Sequence, residues 1–169
     1  METTIKSVLA VPATGGYFVD DQAAITQGAI RDGLAYFGDP VTPGFDAIRS
    51  AAAAVSVLLL LSDGYVAHGD CVSVQYSGVG GREPGLDPVG IAGILDRHVS
   101  GALIGRPVAD FRSLAREVEE FEAGIEGFGK AASYGLSQAL LDAAAHAAGM
   151  TMAEVVSDAW GLNGPFERV

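Results

Sequence analysis

The stretch VSVLLLLSDGYVAHGDCVSVQ, residues 55–75, decides the fold class. Its first seven residues form a nearly unbroken apolar run, the pattern of a strand buried on both faces. Ser62-Asp63-Gly64 is turn chemistry, and Gly64 can take a positive φ without the penalty a Cβ would bring. Residues 65–75 then alternate. Val66, His68, Asp70, Val72 and Val74 share one face, and Tyr65, Ala67, Cys71, Ser73 and Gln75 the other. The stretch therefore predicts a β-hairpin that runs into the glycine-rich loop SGVGGR at 77–82.

Upstream, residues 5–11 predict a short strand stopped by Pro12 and the Gly15-Gly16 pair. Tyr17–Val19 and the acidic pair Asp20-Asp21 follow, and then a glycine-punctuated segment, 28–44, without clear periodicity. Downstream, the period changes to that of helices. Asp87-Pro88 is an N-cap and first-turn pair, and Ile91, Ile94, Leu95 and Val99 form one stripe. Asp110 caps a helix whose stripe is Phe111, Leu114, Val118, Phe121 and Ile125, with Arg112, Arg116, Glu119 and Glu120 on its other face. An alanine-rich helix over 130–148, ended by Gly149, has side chains small enough to pack centrally. Thr151 and Glu154 form a capping box for a last helix to about Trp160. Strands first and helices second give an α+β domain over 1–160, with 161–169 as a tail or linker.

Composition narrows the function. The 169 residues can bury a sizeable core, yet fall short of the ~250 typical of a (β/α)₈ enzyme barrel. Acidic residues outnumber basic ones 21 to 10, for a net charge of −11, which argues against nucleic acid and anionic membrane surfaces as partners. A hydrophobic content of 49% and a mean hydropathy of +0.31 exclude disorder and hint at apolar surface meant for another chain. The single cysteine, Cys71, rules out an intramolecular disulfide. No leader-like N-terminus and no membrane-length apolar run is present, so a cytoplasmic protein is expected.

Familiar catalytic templates are missing: no Walker loop, no nucleotide-binding GxGxxG between strand and helix, no HExxH and no nucleophile elbow. The 77–82 glycines follow a hairpin and lack an accompanying lysine, which argues against a phosphate nest. On one strand His68 and Asp70 face together while Cys71 faces away, so a His68–Asp70 contact that orders the hairpin is expected rather than a Cys-His pair. His98 and His146 read as partly exposed helix residues. Asp20-Asp21 reads as a solvated loop or cap more readily than a cation site, and Glu117, Glu119, Glu120 and Glu122 read as a water-facing surface. On these grounds the most site-like feature is the 75–82 loop, presented from a rigid hairpin.

Longer strings add a resemblance. GYFVDDQAAI (16–25), VTPGF (41–45), SVLLLLSDGYVAHGDCVSVQYSGVGGREP (56–84), LIGRPVADF (103–111) and YGLSQALLDAAAHAAGMTMAEVV (134–156) closely resemble, in order, the N-terminal domain of the methylaspartate ammonia-lyase family. The alanine-rich helix and capped short helix also resemble the end of an enolase-superfamily capping domain. The resemblance implies an α+β capping domain over a (β/α)₈ barrel and reversible elimination of ammonia from 3-methylaspartate to give mesaconate. It implies Mg²⁺ and proton-moving bases on barrel strands, none of which this chain carries. It assigns substrate contact to the glutamine of VQYSG, here Gln75. The expectation that follows is a small capping subunit in a hetero-oligomer, inactive alone, with a separate barrel chain binding the metal and a small amino-acid substrate. A free-standing binding or regulatory protein and an excised domain of a longer lyase are the alternatives.

Overall fold

A computed structural model describes residues 2–43, 45–72 and 86–162. Strands β1 (Ile5–Asp20), β4 (Arg49–Leu61) and β5 (Val66–Val72) form an antiparallel sheet in the order β1-β4-β5. The expected hairpin is the β4–β5 pair, in register from Leu60 opposite Val66 to Ala54 opposite Val72, and Gly64 turns it at φ 92°. Between β1 and β4 lies a small arm: the short helix α1 (Gln22–Thr26), then β2 (Ile30–Asp32) paired with β3 (Ala35–Phe37). The helices follow as α2 (Pro88–Ile94), a π-helical turn (Leu95–Val99), α3 (Ser100–Leu103), α4 (Phe111–Gly124), α5 (Gly129–Ala148) and α6 (Met152–Trp160).

Local chemistry sets most of these boundaries as expected. Asp87 accepts from the Val89 amide and Asp110 from that of Ser113. Gly149 and Gly161 end their helices with left-handed φ of 64°. Thr151 and Glu154 close both halves of their capping box. The π turn was not legible as a stripe. There the Leu95 carbonyl accepts both the Ser100 amide, the i+5 bond of the π turn, and the Ser100 hydroxyl at 3.1 Å, which satisfies this buried serine.

Two expectations are corrected. In β4, Val55, Val57, Leu59 and Leu61 are fully buried, but Ser56, Leu58 and Leu60 only half-buried, because helices cover one face of the sheet. Nor does the first strand stop at Pro12: β1 runs to Asp20, with Pro12 opposite Val55. As an edge strand it tolerates a residue without an N–H, and Gly15-Gly16 fall in a register shift between Thr14 and Phe18. The segment 28–44, which has no clear periodicity, holds the β2–β3 pair.

Helix α5 fixes the core. A Cβ on Gly69 would collide with the Gly135 carbonyl oxygen and lie 2.7 Å from the Ala139 nitrogen, so strand and helix backbones touch. The same helix closes the outer edge of β5. The Asp70 amide donates to Gln138 Oε1 at 3.0 Å, and the His68 amide to Asp142 Oδ2 at 3.0 Å. Four residues of helix rise about 6 Å and two residues of strand about 6.6 Å, so side chains one turn apart meet alternate strand amides.

Candidate functional site

Asp20 lies opposite Arg49 at the start of β4, and Val72 opposite Ala54 five residues further along, so β1 and β5 both run toward the open end of the hairpin. Gln75 and the 77–82 loop lie outside the described residues, as does 163–169 of the expected tail. What the structure gives is their base. A cleft of about 470 Å³ opens beside Val72, the last residue of β5, lined by Lys130, Ala131, Ser133, Tyr134 and Ser137 on the first turns of α5. From the other side Gly15 presses on the same strand, where a Cβ would stand 2.8 Å from Val72 Cγ1 and 3.2 Å from Ala52 Cβ. The strand leading to Gln75 is therefore held between the β1 bulge and α5.

The acidic pair at the end of β1 is structural on both counts. Asp21 caps α1 as expected, but it is fully buried rather than solvated. Its Oδ1 accepts from the amides of Ala23 (3.1 Å) and Ala24 (3.3 Å) and from the Thr42 hydroxyl (2.6 Å). Its Oδ2 accepts from the amides of Val41 (2.7 Å) and Thr42 (2.9 Å). Burial alone would raise its pKa, but the Thr42 hydroxyl and the surrounding amides outweigh it and bring the carboxyl down to about 2. Five donors occupy the lone pairs a cation would need. Asp20 holds Arg49 through two 2.6 Å hydrogen bonds, and Arg49 donates a further 2.8 Å bond to the Leu34 carbonyl. Its guanidinium lies over the rings of Phe18 and Tyr36, at 5.4 and 4.9 Å. Sequence reasoning missed this brace, because the hydrogen-bond partners of Arg49 stand 15 and 29 residues away and no local pattern links them.

The remaining candidates each have other partners or face solvent. His68 and Asp70 share a face as expected but do not order the hairpin through each other. His68 Nδ1 stands 3.4 Å from Asp142 Oδ2, and Asp70 accepts from the Ser56 hydroxyl at 2.8 Å. Same-face neighbours along a strand are about 6.6 Å apart, and each found a nearer partner. His146 is partly exposed, stacked on Tyr65 at 3.7 Å and bonded to Asp63 at 2.9 Å, which ties the hairpin turn to α5. The acidic run on α4 is only partly water-facing, since Glu117 pairs with Arg106 and Glu122 with Lys130. His98 is exposed. Among the described residues no three His, Cys, Asp or Glu side chains could hold a metal ion.

Cys71 is buried, its thiol donating to the Ala132 carbonyl at 3.8 Å, and burial pushes its pKa up to about 12. The native protein is expected to resist iodoacetamide at about pH 8 and to label fully in denaturant, followed by mass spectrometry. Rapid labelling of the folded chain would contradict this environment.

A one-sided antiparallel sheet, an alanine-rich helix across its last strand and a capped short helix after it define the capping-domain fold of the enolase superfamily. The fold alone is shared with muconate lactonizing enzyme from Pseudomonas fluorescens, at a TM-score of 0.57 and 19% identity over 92% of this chain and 34% of that one. Residues 3–161 match the methylaspartate ammonia-lyase N-terminus family, and the chain belongs to it. It is 46% identical over 158 residues to the methylaspartate ammonia-lyase of Citrobacter amalonaticus, covering 94% of this chain and 38% of that protein. It superposes on the Mg complex of β-methylaspartase from Clostridium tetanomorphum at a TM-score of 0.88 and 40% identity, over 98% of this chain and 40% of that one. The chain thus spans under half the length of these relatives. Among the described residues no helix is long and apolar enough to cross a membrane.

Proposed function

We propose that this chain is the capping subunit of a cytoplasmic methylaspartate ammonia-lyase, closing the active site of a barrel supplied by a separate chain. The observation that carries the lyase reading is the match to the N-terminal part of these enzymes over residues 3–161. Removing ammonia from 3-methylaspartate requires loss of a proton from the carbon beside a carboxylate, a step that a bound Mg²⁺ assists by stabilising the developing enediolate. In this proposal the metal and the bases belong to the barrel; among the described residues no three His, Cys, Asp or Glu side chains are grouped to hold an ion.

The capping chain's part is to shape and dry the pocket. Gln75 follows a strand clamped between Gly15 and α5, and its amide can accept from the substrate ammonium or donate to a carboxylate. In this role Gln75 orients the amino acid over the barrel's bases without itself moving a proton. The acidity of the chain, −11 overall, argues against nucleic acid or an anionic membrane as a partner.

Mesaconate is conjugated, so its formation is followed by ultraviolet absorbance. The expected result is no turnover by this chain alone, and turnover once a barrel chain and Mg²⁺ are added. A barrel chain that turns over equally well without this subunit would remove its catalytic role, and tight ligand binding by the lone chain would favour a binding protein. Gln75→Ala is expected to lower kcat/KM about 10-fold or more, the loss of one hydrogen bond to a charged group, with assembly intact. Unchanged kinetics would take Gln75 out of the pocket.

A further inference from the structure

The arm between β1 and β4 holds apolar side chains in water. Ile30 pairs across the arm with Phe37 and Arg31 with Tyr36, so the ladder has two faces. Tyr36 faces the body, against the Arg49 guanidinium, which leaves Ile30 and Phe37 on the outward face with Leu34 at the tip. Ile30 and Leu34 are each 70% exposed and Phe37 59%. Two strands alone are marginal in water. This pair is made rigid from outside, by Asp21 gripping Val41 and Thr42 beyond β3 and by Arg49 bonding the Leu34 carbonyl. An arm that is braced and yet presents its largest apolar groups to solvent is pre-organised for a partner.

Charge says what kind. A cleft of about 530 Å³ between arm and sheet has Phe18, Leu34 and Ile48 in its walls beside Asp32, Asp39 and Asp46. None of these three carboxylates has an ion-pair partner among the described residues, and Arg49, which also lines the cleft, is taken by Asp20. A second copy would bring the same acidic cleft against itself, on a chain of net charge −11. The arm also leaves the sheet at the end toward which β5 runs.

We infer that the β2–β3 arm is the element by which this subunit grips its catalytic barrel chain. Ile30, Leu34 and Phe37 pack on an apolar patch of the barrel chain, and a lysine or arginine beside that patch enters the Asp32–Asp39–Asp46 cleft. The inference rests on the split-enzyme reading and names the surface that reading needs.

The test uses the barrel chain that restores mesaconate formation, with affinity measured by titration calorimetry. The double substitution Leu34→Asp with Phe37→Asp is expected to weaken binding about 30-fold or more, as for central interface anchors. The melting temperature of the free chain should stay within about 2 °C, because both side chains are exposed. Replacing Asp32, Asp39 and Asp46 together by asparagine is expected to weaken binding about 10-fold at low salt and to flatten its salt dependence. This second variant decides the matter if the first fails to fold. Wild-type affinity in both variants would overturn the inference while leaving the split enzyme standing. Failure of the unaltered chain to bind any barrel chain would overturn both. A self-association of the free chain that the double substitution abolishes would make a second copy the occupant and overturn the barrel assignment.

Discussion

Gly135→Ala is expected to cost about 3 kcal/mol of folding stability, a large share of what a domain of this size possesses. The added Cβ would sit 2.5 Å from Cys71 Sγ, 2.6 Å from the Cys71 nitrogen and 2.7 Å from the Asp70 carbonyl carbon. Two of those three atoms are backbone in the middle of a paired strand, so no rotamer change relieves the clash. Either α5 lifts away from β5, or the strand bows and strains its ladder with β4. Lifting also pulls Gln138 and Asp142 off the amides of Asp70 and His68, leaving donors at a sheet edge with nothing to bind. Gly69→Ala enters the same contact from the strand side, so the double variant should lose less than the two single losses together. Gly101→Ala is the control: its Cβ would meet nothing within 4 Å, and in helix α3 alanine should stabilise by about 0.5–1 kcal/mol. Urea titrations of the free chain measure all four, and a Gly135→Ala midpoint equal to the wild type would show that the backbones are not in contact.

Asp21→Ala is expected to be comparably damaging, at about 3 kcal/mol or more. It strips an N-cap from α1 and leaves the Val41 and Thr42 amides without their acceptor at the base of the arm. Proteolysis should then cut within 28–43 at low protease concentrations that spare the wild type. The carboxylate also sets a pH dependence. Its folded-state pKa, about 2, lies below the ordinary 3.8. Its contribution is therefore fully present above about pH 4 and is lost as pH falls through about 2. Asp21→Asn should flatten the stability profile across that window, and an unchanged slope there would place the acid response in other carboxylates.

Much of the architecture could be read from local chemistry, because its signals are short-range. Ser62-Asp63-Gly64 carries the hairpin turn, Thr151 with Glu154 the start of the last helix, and Gly149 the end of the long one. What escaped depends on position in the sheet or on distant partners. Pro12 breaks a strand only if that strand needs its N–H, and whether β1 is an edge is a tertiary fact. The run 55–61 reads the same whether one or both faces are covered. Asp20 and Asp21 look like any acidic turn until Arg49, Val41 and Thr42 arrive from 20 to 29 residues away. A substrate-contact role for Gln75 is implied only by resemblance, since an isolated Gln in an alternating run carries no signal of its own.

The closing of the β5 edge by Gln138 and Asp142 bears on the chain's fate when it unfolds. Residues 55–61, VSVLLLL, are uncharged, β-prone and free of proline, the composition that stacks into cross-β aggregates when released. In the native sheet they form the central strand. One neighbour has its outer amides occupied by helix side chains, and the other interrupts its own row of donors at Pro12. Both routes of strand-by-strand growth are thus obstructed while α5 stays docked. Loosening that single helix both melts the core and uncovers a template for self-association, so thermal unfolding of this chain should end in precipitate rather than in recoverable protein.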